Sequence, residues 1–224
     1  MAFSTEWEQI YNQGMQNSIW PWSDLVSYVM RYARPSDGSC KVLELGFGAG
    51  ANIAFFSSLG VHYFGVEGSE SVVKRVGQRF ANQSNITLAC GDFTQDIPFV
   101  GPFDLVIDRS SLTHNSTAAI RGCLQAVGAR MKRGAKFIGI DWFSTDNSQF
   151  LVGRESGDYH TRSDFKLGLF KDLGIVHFSD QEHLMGLLSS GGFEIERLEH
   201  KHSDIVLPEG VDRMAWWNFV AIKR

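Results

Sequence analysis

A carboxylate set two residues ahead of three alternating glycines is the first hint of chemistry in this chain. The stretch Val42–Asn52, VLELGFGAGAN, places Glu44 before Gly46, Gly48 and Gly50, with Asn52 at the start of the run that follows. Glycine admits positive φ and lets a backbone approach a ligand closely. A helix that follows such a turn aims its unpaired N–H groups at whatever sits there. Glu67 ends the next apolar run and, with Gly68 behind it, could hold a pair of ribose hydroxyls. Gly91-Asp92-Phe93 follows the third run and offers an acidic acceptor beside a flat ring, where an adenine could lie. Two ligands compete for such a site. Gly46, Gly48 and Ala51 satisfy the dinucleotide pattern G-x-G-x-x-G/A. A carboxylate at Glu44, however, would repel a pyrophosphate and attract an ammonium group.

These residues need a scaffold, and the apolar periodicity supplies one. Leu25, Val26, Val29, Met30 and Ala33 mark one helix face, closed by Pro35 and Gly38. Lys41–Leu45 reads as a strand, Ala51–Leu59 as a helix and Val61–Glu67 as a second strand. A helix follows on Val72, Val73, Val76 and Phe80. Ile86–Ala89 and Phe103–Asp108 are strands, Ile120, Leu124, Val127 and Met131 lie on a helix, and Lys136–Ile140 is another strand. Such alternation predicts an α/β fold with parallel strands and crossover helices on both faces. Open sheets of this kind bind ligands beyond the carboxyl ends of their strands. Trp142–Val176 breaks the rhythm and is too long for a plain connection, so it reads as a lid or a surface excursion. A helix around His183–Leu188 and strands at Phe193–His200 and Met214–Ile222 complete the chain, the last two as an antiparallel hairpin on the sheet's edge.

With Glu44, the glycines, Glu67 and Asp92-Phe93 in this order, the chain resembles the class I S-adenosylmethionine-dependent methyltransferases. The likeness extends to bacterial single-domain, small-molecule members through a Trp-Pro-aromatic amino-terminal segment and an Asp-Arg pair after the fourth strand. It implies a Rossmann-like, seven-stranded, mostly parallel sheet with an antiparallel last strand and an N-terminal helical cap. It divides a single domain, 1–224, into that cap (1–38), a cofactor-binding half (39–141), a substrate-side insert (142–178) and a C-terminal helix with edge strands (179–224). It also implies S-adenosyl-L-methionine as cofactor: Glu44 near the amino group, Gly46, Gly48, Gly50 and Asn52 under the methionine part, Glu67 and Gly68 at the ribose, and Asp92 and Phe93 around the adenine. Asp108 would face the methyl donor and the acceptor.

The acceptor side offers fewer fixed points. Asp108 and His114 form the preferred catalytic pair, although Asp108 also suits a structural or cofactor ligand and His114-Asn115 also suits the start of a helix. Arg109 could hold an acidic substrate group or pair with a surface acid such as Glu155. Tyr11, Trp20 and Trp22 suit a lid, with Trp20 stacking on a sugar face or flat ring. Tyr159 and His160, in the insert, would form the opposite wall. Met214, Trp216, Trp217 and Phe219 read as core packing or a dimer contact. No metal site is expected from the spacing of the ligating residues.

Composition narrows the alternatives. The chain has 224 residues, 43% hydrophobic and 21% charged, enough to bury a self-sufficient core. Its net charge of −4 argues against a broad nucleic-acid surface. No apolar run reaches the ~20 residues of a membrane span, and the amino terminus is too polar for a signal peptide. A cytoplasmic monomer or homodimer is expected, with Cys40, Cys90 and Cys123 as reduced thiols. The function that fits is methyl transfer to an oxygen, less readily a nitrogen, of a small polar metabolite or sugar. The alternatives are a non-catalytic cofactor-binding scaffold and methylation of a nucleic acid or protein.

Overall fold

A computed structural model describes residues 5–14, 17–36, 38–207 and 213–224. Met15 and Gln16, within the aromatic amino-terminal segment, lie outside the described residues. Seven strands form the main sheet: β1 (Lys41–Leu45), β2 (His62–Glu67), β3 (Ile86–Cys90), β4 (Phe103–Arg109), β5 (Met131–Phe143), β9 (Phe193–Asp204) and β10 (Arg213–Lys223). Their order is β3-β2-β1-β4-β5-β10-β9. The pairings from β3 through β5 are parallel, whereas β10 runs antiparallel to both neighbours. The last strand therefore lies inside the sheet, between β5 and β9, and β9 forms the edge.

Pairing in register fixes which side chains share a face. Leu45 lies opposite Val66 and opposite Asp108, so three strand ends finish at one level. Alternation along β1 sends Leu43 and Leu45 to a core under α5 (Thr117–Ala129) and α6 (Gln181–Ser190), and Val42 to the other face. That second face is covered by α2 (Ser23–Tyr28), α3 (Ile53–Ser58) and α4 (Glu70–Arg79), through Leu25, Ile53, Phe56, Val72 and Val76. Growth of the sheet reverses between β3 and β4. The switch point thus opens above the ends of β1 and β4, where such sheets hold ligands.

The amino-terminal cap consists of α1 (Thr5–Asn12) and α2, the latter running into a π turn at Val29–Ala33. The wider turn breaks the expected i, i+4 phase. Leu25 and Val29 are buried as the periodicity predicts, but Met30 is exposed.

The segment after β5 is neither a bare lid nor an unstructured excursion. Strands β6 (Arg154–Glu155), β7 (Thr161–Ser163) and β8 (Val176–His177) form a small antiparallel sheet. It surrounds its own core of Phe150, Phe165, Phe170, Val176 and Phe178.

Candidate active site

The glycine turn bridges β1 and α3, and its geometry leaves little choice of residue. Gly46 (φ +64°) and Gly48 (φ +50°) both occupy the left-handed region. A Cβ on Gly46 would come within 2.3 Å of Ser111 Cβ, and one on Gly48 within 3.0 Å of the Tyr11 hydroxyl. Glu67, at the end of β2, ties the turn down: its carboxylate accepts from the backbone N–H of Gly48 (2.9 Å) and of Ser69 (3.1 Å). Burial raises its pKa against these bonds. Glu44 is buried, accepting from Asn52 Nδ2 (2.8 Å) and from the Tyr63 hydroxyl. Both partners are neutral, and burial pushes the Glu44 carboxyl up to about 7.

Above this turn lies a cleft of about 760 Å³, towards the upper end of the usual ~300–1,000 Å³ range for small-molecule sites. Glu44, Gly46, Gly48, Asn52, Glu67, Asp92 and Phe93 all line it. Asp92 folds into a tight turn, accepting from Thr94 N–H (2.9 Å) and the Thr94 hydroxyl (2.6 Å). Gly50 and Gly68 do not reach the cleft lining. Gly50 backs onto α4, where its carbonyl accepts from Arg79 Nη2 at 2.7 Å; the Gly68 carbonyl meets Cys90 Sγ.

The acceptor side departs further from expectation. Asp108 is fully buried and absent from the cleft wall. Paired with Leu45, it shares that residue's face of the sheet, the opposite face to Glu44. Its carboxylate accepts from the Ser111 hydroxyl and from Leu112 N–H (3.0 Å), which anchors the turn Leu112–His114; burial pushes its pKa up to about 6. Asp108 thus holds this loop from the face opposite Glu44, away from the cleft where the catalytic reading expects it.

His114, carried by that turn, does line the cleft, edge-on to Trp7 (4.7 Å between ring centroids) and Phe143 (5.9 Å). Burial pushes its pKa down to about 4, so the imidazole is neutral. Arg109 also lines the cleft, paired with Asp141 (2.8 Å) rather than Glu155 and stacked 3.5 Å over the Trp22 ring.

Three expected substrate residues lie elsewhere. Trp20 is 75% exposed and outside the cleft; Trp22 takes the place expected of it. Tyr159 packs against Phe150 and Arg162. His160 stacks on His183 at 3.6 Å and pairs with Asp180. The insert instead contributes Leu169, Phe170 and Leu173, and the carboxyl-terminal hairpin adds Ile205, Met214 and Trp216. Period-two alternation along β10 could have found the last pair. Ala215, Trp217 and Phe219 are buried on one face, and Met214 and Trp216 occupy the other.

Comparison with known proteins agrees with this geometry. Residues 42–134 match the methyltransferase-domain family model. The likeness to that methyltransferase domain covers about two fifths of the chain. The chain is 34% identical over 89 residues to a protein-L-isoaspartate O-methyltransferase of Maricaulis maris, a match covering 39% of this chain and 42% of that protein. It thus spans about two fifths of the length of the curated relative it matches. Among solved structures it resembles an S-adenosylmethionine-dependent methyltransferase of Methanosarcina mazei (TM-score 0.68, 15% identity, 91% of this chain and 98% of the other). It also resembles one of Clostridium acetobutylicum (TM-score 0.64, 16% identity, 97% and 96%). The second half of the chain, which carries the insert and the hairpin, lies beyond the matched family segment.

Proposed function

We propose that this chain transfers the methyl group of S-adenosylmethionine to an oxygen, less readily a nitrogen, of a small molecule bound in the outer part of the cleft. The observation that carries this reading is a left-handed glycine turn set between two buried carboxylates, Glu44 and Glu67, at the mouth of a cleft with room beyond it. The donor set fits the cofactor. A buried carboxylate whose partners are both neutral, as at Glu44, suits an ammonium group and not a pyrophosphate. Gly46 and Gly48 leave the floor free of side chains, so the methionine part can lie against backbone. Glu67 would accept from the ribose hydroxyls, and Asp92 with Phe93 would bracket the adenine.

The cofactor supplies a sulfonium methyl group. A hydroxyl acceptor aligned with that group would take the methyl on its oxygen and give its proton to His114, so the part of the chain is to orient the two reactants and hold the proton. Alignment and exclusion of water provide most of the rate in such a displacement. Trp7, Phe143 and Phe170 give the acceptor side apolar walls that a bound substrate would dry, and neutral His114 would receive a hydrogen bond there.

Calorimetric titration with S-adenosylhomocysteine tests the reading. One-to-one binding is expected, with affinity lowered at least tenfold by Glu67→Ala and no comparable binding of NAD. Absence of heat at millimolar ligand, or preferred binding of NAD, would overturn it.

A further inference from the structure

We propose, resting on the methyl-transfer reading above, that the acceptor is an uncharged, flat-ringed compound carrying a hydroxyl and a carbonyl-type oxygen, rather than a sugar or an acid. Six rings contribute to the walls beyond the glycine turn: Trp7, Trp22, His114, Phe143, Phe170 and Trp216. Rings of this kind stack on a flat apolar face. The polar groups between them are largely committed to one another. Arg109 is neutralised by Asp141 at 2.8 Å and covered by Trp22. Asp24 accepts from Lys201 and from Asn218 Nδ2 (3.1 Å). Asn115 donates to the carbonyls of Ser111 and Leu112, both at 3.3 Å. A polyol buried here would find few uncommitted partners for its hydroxyls.

An anion fares no better. Glu44, Glu67, Asp92, Asp24 and Asp141 all line the cleft, and Arg109 already has its counter-ion. The expected clamp on an acidic substrate is thereby replaced by an internal ion pair.

Three cleft-lining side chains nevertheless keep a buried atom without a hydrogen-bond partner among the described residues: Trp216 Nε1, Arg109 Nε and His114 Nδ1. The indole and guanidinium nitrogens can only donate, so they require an acceptor oxygen. The neutral imidazole can accept from a hydroxyl. Two donors and one acceptor amid aromatic walls describe a ring with a carbonyl-type oxygen and a hydroxyl. On transfer the hydroxyl oxygen would bond the methyl carbon, the sulfur would keep the electron pair, and the proton would pass to His114 Nδ1.

Probes are titrated into protein saturated with S-adenosylhomocysteine: a panel of mono- and bicyclic hydroxyaryl ketones, and against it methyl glucoside and glucuronate. At least one hydroxyaryl ketone is expected to bind ten times more tightly than either sugar. Trp216→Phe, which keeps a ring and removes the N–H, should weaken that ketone about tenfold while leaving homocysteine-ligand affinity unchanged. A sugar that binds as well as every ketone, or a Trp216→Phe protein that holds the ketone undiminished, overturns the proposal. The ranking of probes on the unaltered protein decides alone should Trp216→Phe fail to fold. Failure of S-adenosylhomocysteine itself to bind would overturn the methyl-transfer reading. Its binding without any ketone would overturn only the acceptor class.

Discussion

If Glu44 receives the ammonium of the cofactor, binding must expel a proton. In the ligand-free protein burial holds this carboxyl at about 7, with only neutral groups donating to it. An ammonium beside it would return the pKa towards an ordinary carboxylate value of ~4.3. The affinity for S-adenosylhomocysteine should then fall between pH 8 and pH 5 by one to two orders of magnitude, about 2–3 kcal/mol. At pH 6, where the free carboxyl is mostly protonated and the bound one is not, about 0.9 proton should leave per ligand bound. Calorimetry at pH 6 in two buffers of different ionisation enthalpy reads that number directly. Glu44→Gln should abolish the proton release and weaken binding at pH 8. The same variant should stabilise the ligand-free protein at pH 8, because keeping this buried group ionised there costs up to about 3 kcal/mol. The sign follows from the raised pKa. The favourable protonated form is present at low pH, and its contribution is lost as pH rises through 7. Proton release that persists unchanged in Glu44→Gln would refute the reasoning, as would pH-independent binding to the unaltered protein.

Other perturbations probe separate parts of the structure. Gly46→Ala places a Cβ 2.3 Å from Ser111 Cβ in a left-handed backbone, so S-adenosylhomocysteine binding should be lost and Tm lowered, as calorimetry and thermal melting would show. His177 is buried and its pKa is pushed down to about 3 by burial, then by His183. Its contribution to stability is complete above the unfolded value of ~6.5 and is lost as pH falls below it, amounting to about 2 kcal/mol by pH 5; urea unfolding at pH 7.5 and pH 5 compared with His177→Gln measures this. Phe170 sits in the small core of the insert against Phe143, Phe165 and Phe178, so Phe170→Ala should destabilise that unit by about 3–5 kcal/mol, visible as early amide exchange in residues 150–178. Tyr159→Ala should leave S-adenosylhomocysteine affinity within about twofold in the same titration, since its ring packs outside the cleft.

The glycine-turn side of the cleft was legible because its residues are local. A strand, a turn and a helix adjacent in sequence fix where Glu44, Gly46, Gly48 and Asn52 must point, and parallel pairing brings Glu67 to the same level. The acceptor side depends on choices that short-range pattern does not make. From its place at the end of β4, Asp108 is expected to face the methyl donor, yet the register that sets it beside Leu45 turns it to the face opposite Glu44. Trp20 and Trp22 flank a single proline, and only the packing of Trp22 on Arg109 selects between them. In the insert, the titratable Tyr159 and His160 drew attention as chemistry. Five apolar residues forming a core decide its orientation instead, and they turn Leu169, Phe170 and Leu173 to the cleft.

The placement of charge separates the two halves of the cleft. Bulk acidity says only that a polyanion is a poor partner. In the folded chain the carboxylates Glu44, Glu67 and Asp92 gather where a sulfonium and an ammonium would lie, while Asp141 is spent on Arg109 and Asp24 on Lys201. An acceptor would therefore meet a wall that is close to neutral and carries several rings. Its orientation must come from stacking and from the few unpartnered nitrogens of Trp216, Arg109 and His114. A methyl acceptor of this sort needs no charge to be held, and a neutral nucleophile is what an in-line displacement at a sulfonium requires.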